Sequence, residues 1–202
     1  MKKLSLTFYQ RKDVVQIAKD LLGKIVVTKI DGKITSGRIV ETEAYAAFVD
    51  KASHAYNGKR TVRNEAMYAC GGAVYVYICY GVHNMLNIVT NDVNVPDAIL
   101  IRALEPLKGI DTMLWRTGKK LLDNTITKGP GNVAKAMGIS KDISGLMLGN
   151  EQINIYEDDF LLLENEIGTS NRIGIDGAGT DALLPYRFFV RGNKFVSGRP
   201  VR

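Results

Sequence analysis

A chain of 202 residues, 46% hydrophobic and 24% charged, has apolar material for one core and no room for a second independent catalytic unit. No apolar run approaches a membrane span, and Met1-Lys2-Lys3 leads into a polar, amphipathic segment rather than a signal core, so we expect an intracellular protein. Cys70 and Cys79, without a CxxC pair or a histidine-rich cluster, indicate neither a disulfide framework nor a structural zinc site. Charge is unevenly spread: residues 1–38 hold nine basic and three acidic side chains, 186–202 five basic and no acidic, and 141–185 two basic and nine acidic. Clustered cations opposite an acidic region suit a polyanion met by one side of the molecule, although a basic terminus can equally be a solvating tail.

Asp13 is placed to cap a helix whose stripe is Val14, Ile17, Ala18, Leu21 and Leu22, with Gly23 ending it. Ile25 to Ile30 and Ile34 to Tyr45 read as strands joined by Asp31-Gly32, a dipeptide suited to a type I′ turn. Residues 46–63 are aperiodic and carry the cations Lys59, Arg60 and Arg63; Asn64 to Ala69 can make one or two helical turns before Cys70-Gly71-Gly72. Ala73 to Cys79 is a strand with Val74, Val76 and Ile78 on one face and Tyr75, Tyr77 and Cys79 on the other, turning at Tyr80-Gly81 into Asn84 to Thr90. Asp97 to Ala103 is an apolar strand with Arg102 as its only charge after the first residue, ended by Glu105-Pro106. Ile110 to Arg116 and Asn132 to Met137 read as helices, the second preceded by Lys128-Gly129-Pro130-Gly131, which has the composition of a phosphate nest but also of an ordinary helix-start loop. Ile153 to Ile155, Phe160 to Leu163, Arg172 to Ile175 and Tyr186 to Val190 read as strands. Hairpin signals outnumber helical crossovers, which predicts one α+β domain with a largely antiparallel sheet and flanking short helices.

If Arg38 to Tyr45 is extended, Ile39, Glu41, Glu43 and Tyr45 share one face. Such an alternating face is most often the solvated side of a strand. Two acids this close repel, so at least one should have a raised pKa or a cation beside it.

The segments Gly37-Arg38-Ile39-Val40-Glu41-Thr42-Glu43-Ala44-Tyr45, Ala52-Ser53-His54, Arg60-Thr61-Val62-Arg63-Asn64, Tyr75-Val76-Tyr77-Ile78-Cys79-Tyr80-Gly81 and Ile101-Arg102-Ala103-Leu104-Glu105-Pro106 together resemble the alkyladenine (3-methylpurine) DNA glycosylase family. Their order and spacing match it almost throughout, as far as Arg172-Ile173-Gly174-Ile175. The resemblance implies a single glycosylase domain over residues 1–202, with a curved antiparallel sheet and a protruding hairpin that wedges into DNA. It implies that damaged purines are flipped from duplex DNA and their N-glycosidic bond hydrolysed, with no cofactor or metal and with the protein acting as a monomer.

By position in those motifs, Glu43 is implied as the general base and Arg102 as the residue that helps hold the water. Tyr45, His54 and Tyr77 are implied as the aromatic walls around the extruded base, Asn87 as the pocket-floor residue that disfavours a 2-amino group, and Tyr80 as the wedge. Lys59, Arg60 and Arg63 are candidate phosphate ligands or solvated loop cations. Tyr75 is either part of the pocket or a half-buried strand residue, and His83 either a DNA contact or a surface histidine. Glu41 is left as a supporting carboxylate. Lacking a lysine in the motif strand to form a Schiff base, the chain is expected to excise without cutting the strand. It departs from the family where Ala46-Ala47-Phe48-Val49-Asp50 replaces the usual Gly-Pro-Glu-Asp, at Gly71 where a proline is common, and at Asn132 where a lysine is common. These changes predict a looser His54 loop and one phosphate contact fewer. Two other classes compete: a non-catalytic damage-binding module, and a metal-dependent hydrolase using Glu41, Glu43 and His54, whose spacing matches no specific ligand set.

Overall fold

In the computed structural model, which describes residues 1–198, the chain begins with β1 (Lys2–Lys3) and two short helices, α1 (Leu6–Tyr9) and α2 (Val14–Asp20). The Asp13 carboxylate accepts the Gln16 N–H at 2.9 Å, capping α2 as its position suggests, and the whole predicted stripe is buried. Past the helix end, the Gly23 N–H donates to Ile39 O at 2.8 Å, which pins α2 to the strand that carries the acids.

That strand is β3 (Lys33–Tyr45), folded onto β2 (Ile25–Ile30) by Asp31 and Gly32, whose φ values of 53° and 68° are those a type I′ turn requires. The sheet continues with β4 (Val74–Cys79), β5 (His83–Thr90) and β6 (Asp97–Lys108). Helices α3 (Ile110–Thr117) and α4 (Pro130–Met137) follow, then β7 (Ile153–Glu157), β8 (Ile167–Ser170) and β9 (Arg187–Val190). All strand pairs are antiparallel; the order is β1-β7-β2-β3-β6-β5-β4, with β8 and β9 joined to β3 through β9. The domain is α+β, with an open antiparallel sheet and few short helices.

β3 decides where the site lies. One edge pairs with β6 from Ser36 to Tyr45; the other pairs first with β2, up to Arg38, and then with β9 at Glu41, Thr42 and Glu43. Register shifts at Ile39/Glu41 and Glu41/Thr42 mark a bulge at that fork. Val74, Val76, Leu86, Ile88, Ile99 and Ile101 feed the main core with α2 and α4, whereas Tyr75, Val89 and Ala98 face a second cluster built with Ala47, Ala55, Met67 and Tyr68. The stretch 46–73 therefore covers one side of β4, β5 and β6, and the helices α2 and α4 cover the other.

Four expectations fail. The Glu41 and Glu43 side chains are fully buried rather than solvated, because Arg187, Ser197 and Ile173 close on them. β6 runs through Glu105-Pro106 to Lys108, because the proline falls opposite Gly37 next to a register shift, where a missing N–H is tolerated. Phe160 to Leu163 is not a strand: the Phe160 ring lies under the Arg38 guanidinium, 4.2 Å away, while Leu161 and Leu163 are exposed. Arg172 to Ile175 is not a strand either, since the Ile173 N–H goes to a side chain and Gly174 adopts φ 77°. The short strand β8 has no counterpart in the sequence reading.

Candidate active site

Glu43 is opposed by Leu100 on β6, Leu100 by Asn87 on β5, and Asn87 by Tyr75 on β4, while Arg187 of β9 opposes Glu43 on its other edge. Directly opposed residues of antiparallel strands point to one face. One row across five strands thus aligns an arginine, an acid, an amide and a phenol on one face.

Glu41 and Glu43 are both fully buried but have different partners. Glu41 Oε1 accepts from Arg187 Nε at 2.6 Å and Ser197 Oγ at 2.9 Å, Oε2 accepts the Ser197 N–H at 2.7 Å, and Arg102 Nε lies 3.2 Å from Oε1. Glu43 Oε1 accepts the Ile173 N–H at 2.8 Å and Oε2 the Tyr45 hydroxyl at 2.9 Å, with Arg102 Nη1 at 3.4 Å from Oε1. Burial pushes the Glu43 carboxyl above its ordinary range; Arg102, the Ile173 N–H and the Tyr45 hydroxyl oppose that shift, and the charge of Glu41 adds to it. A carboxylate has about four lone-pair sites, so these three donors leave room for one more. The acid pair thus has both features expected of it, a raised pKa and shared cations.

Beside this cluster lies a pocket of about 260 Å³ lined by Tyr45, His54, Tyr75, Tyr77, Asn87 and Ile175, among others. Glu43 and Arg102 are not part of its lining; Tyr45 lines the pocket and donates its hydroxyl to Glu43. His54 and Tyr77 meet edge to face with centroids 4.5 Å apart, and His54 Nδ1 shares a hydrogen bond with the Tyr75 hydroxyl at 2.9 Å. Burial, then Arg63 and Lys59, lower the His54 pKa, so the ring is neutral at pH 7. Burial pushes the Tyr77 phenol up to about 12 and the Tyr45 and Tyr75 phenols up as well, so all three keep their protons. Asn87 Nδ2 donates to Tyr75 O at 3.2 Å and Met85 O at 3.1 Å, which fixes the amide in the pocket lining.

The β4–β5 hairpin ends at Tyr80, 89% exposed, with φ 50°. A left-handed tyrosine is uncommon and strained; here the turn fixes the ring outside the sheet at the mouth of the pocket. Of the loop cations, Lys59 is exposed, Arg63 lines the pocket and donates to Ile78 O at 3.2 Å, and Arg60 is held by Glu65 and stacked on Tyr68. His83 lies against the start of α4, where a Cβ added to Gly131 would come 3.1 Å from its Nδ1.

A family model described as Methylpurine-DNA glycosylase matches residues 7–194. The chain belongs to the methylpurine-DNA glycosylase family. It is 44% identical to a protein of Clostridium novyi (strain NT) over 98% of this chain and 99% of that protein. It is 41% identical to one of Clostridium perfringens (strain 13 / Type A) over 96% and 98%. It is 43% identical to one of Chlamydia felis (strain Fe/C-56) over 93% and 96%. All three carry the name "Putative 3-methyladenine DNA glycosylase".

The departures from the methylpurine-DNA glycosylase pattern have local replacements in this chain. Asp50, at the end of the substituted loop, is buried, accepts the Ala52 N–H at 3.0 Å and pairs with Arg172, while Asp97 accepts the Ala47 N–H at 2.7 Å. The loop before His54 is tied down without a proline. At Gly71 the N–H donates to Asn91 O at 2.9 Å, and any Cβ would lie 2.5 Å from Tyr9 O, so only glycine fits. The sequence reading missed Asp50, Arg172, Arg187, Ser197 and the Ile173 N–H. Arg172 and Ile173 stand in a segment that resembles the family and Asp50 keeps the aspartate of the family's Gly-Pro-Glu-Asp, but Ser197 gave no signal.

Proposed function

We propose that this chain is a monofunctional DNA N-glycosylase that flips alkylated or deaminated purines, of the 3-methyladenine, 7-methylguanine, hypoxanthine and ethenoadenine class, out of duplex DNA and hydrolyses the N-glycosidic bond. The observation that carries this reading is a buried glutamate with a raised pKa, fixed by a guanidinium and a backbone N–H, beside a pocket walled by Tyr45, His54 and Tyr77. As the C1′–N bond lengthens, the sugar gains oxocarbenium character. Glu43, ionised, stabilises that charge and takes a proton from the attacking water, whose oxygen bonds to C1′ as the bond electrons leave with the base. Arg102 keeps Glu43 ionised against its burial and helps hold the water.

Aromatic faces suit a set of lesions that differ in hydrogen-bonding edge but share a π-surface, and they attract a purine made cationic at N3 or N7 by about 0.5–2 kcal/mol. A neutral His54 adds no repulsion. Asn87, held at the floor, disfavours a 2-amino group. Tyr80 fills the gap left by the flipped nucleotide, offsetting an unstacking cost of a few kcal/mol, and Lys59, Arg60 and Arg63 meet the backbone phosphates as the protein acts as a monomer. Among the described residues no lysine lines the pocket, which favours base release without strand cleavage. A damage-binding module would need no buried Glu43–Arg102 pair.

The test is a duplex with one hypoxanthine or ethenoadenine, incubated with the protein in EDTA. Free base should appear, with the strand intact until alkali opens the abasic site. Activity abolished by EDTA would overturn the reading in favour of a metal-dependent hydrolase.

A further inference from the structure

The segment 172–175 has no regular secondary structure, yet successive residues reach both the acid and the pocket: the Ile173 N–H holds Glu43, and Gly174 and Ile175 line the pocket. Its anchor is Arg172. The guanidinium is buried, with the Tyr45 ring 4.6 Å from it and the Tyr186 ring 5.4 Å. Arg172 Nη2 donates to Asp50 Oδ1 at 2.8 Å and Nη1 to Asp50 Oδ2, a two-pronged pair with a carboxylate that is itself buried. Nη1 also reaches Ala44 O at 2.8 Å, between Glu43 and Tyr45 in sequence, and Nη2 reaches Asp181 O at 3.1 Å.

We propose that the Asp50–Arg172 pair is a positioning clamp for the reaction, which backs the Tyr45 stacking wall with a guanidinium and fixes the Ile173 N–H on Glu43. This rests on the glycosylase reading above. Neither residue touches the reacting atoms. A planar fork held by Asp50 on one side and four backbone or ring contacts on the others has little freedom to shift. Both the wall and the general base depend on it, because Ala44 lies between them on β3 and Ile173 is the next residue after Arg172. The clamp also accounts for Asp50 being buried in a loop whose other residues depart from the family's pattern.

Asp50→Asn keeps the shape and removes the charge. Under single-turnover conditions with a hypoxanthine duplex, excision should fall by up to about 10²-fold at neutral pH, the loss expected of a reacting group displaced by about 1 Å. Losing a hydrogen bond that favours ionised Glu43 should also move the acidic limb of the rate profile to higher pH by about one unit. In a Glu43→Gln background the same substitution should cost little further, since the group it positions is gone. An unmoved acidic limb, with or without a rate loss, would overturn the clamp and leave Asp50 merely structural. If Asp50→Asn does not fold, Arg172→Lys replaces it, keeping a cation for Asp50 without the planar fork, with the same limb shift expected. Amide exchange of the native protein needs no variant: the Ile173 N–H should be protected like the N–H groups of β3, and fast exchange would refute the clamp. Wild-type protein releasing no base would instead count against the glycosylase reading, leaving the amide measurement to decide the clamp.

Discussion

Replacing Glu41 by glutamine should lower the melting temperature, whereas the same replacement of Glu43, two residues along β3, should raise it. Glu41 has three hydrogen bonds and lies against two guanidiniums, so its removal strands Arg187 and part of Arg102 in a site without solvent. Breaking one partner out of a buried pair costs about 3–5 kcal/mol. For a chain of this size each kcal/mol moves Tm by about 2–4 °C, so Glu41→Gln should melt about 6–20 °C below wild type at pH 7. Glu43 behaves oppositely because its folded pKa is raised, by burial first. The stability of such a group is fully present below the unfolded value of 4.5 and is lost as pH rises through the folded value. Ionised Glu43 therefore lowers stability at neutral pH, and a glutamine that cannot ionise should melt higher there, the gain fading toward pH 4. Calorimetry of the two variants at pH 7 and pH 4 measures both effects. A Glu41→Gln protein within about 2 °C of wild type, or two variants destabilised alike, would refute this division between the acids.

Tyr80→Ala should impair binding and flipping more than it slows hydrolysis of an already extruded base; equal losses would make Tyr80 structural. Binding to undamaged duplex should weaken steeply with salt, and Arg63→Ala should reduce the slope by about one. Arg60→Ala should change it less, because Glu65 already engages that cation; a flat salt response would contradict a phosphate-binding face. His54 has its pKa lowered by burial and by Arg63 and Lys59, so it protonates only below its ordinary 6.5. Imidazolium then repels a cationic purine, and the excision rate for 3-methyladenine relative to hypoxanthine should fall as pH drops toward 5. A constant ratio would show that His54 does not act on the bound base.

Features set by neighbouring residues could be read from the sequence. Asp31-Gly32 determined the β2–β3 hairpin, the Val14 to Leu22 stripe gave α2 its buried face, and the alternation in 74–79 assigned Val74 and Val76 to one cluster and Tyr75 to another. Burial of the acid pair could not be read that way. Arg102 lies 59 residues from Glu43 and Arg187 146 residues from Glu41, and no local pattern shows that β9 and Ser197 return to cover the face. The stretch 158–186 misled for a related reason. Its apolar residues carry strand propensity, but the Phe160 ring is held by Arg38 and the Ile173 N–H is used by a catalytic candidate instead of a ladder partner. The segments that resemble the family contain Glu43, Arg102, Arg172 and Ile173, whereas Arg187 and Ser197, which hold Glu41, lie outside them.

Single-turnover release of free base from a hypoxanthine duplex by wild type and Glu43→Gln, with the affinity of each for that duplex measured alongside, tests the central claim most directly. The account predicts binding within a few-fold of wild type and a rate lower by about 10²-fold or more, the scale of a lost general base. A Glu43→Gln protein that releases base at the wild-type rate would contradict it.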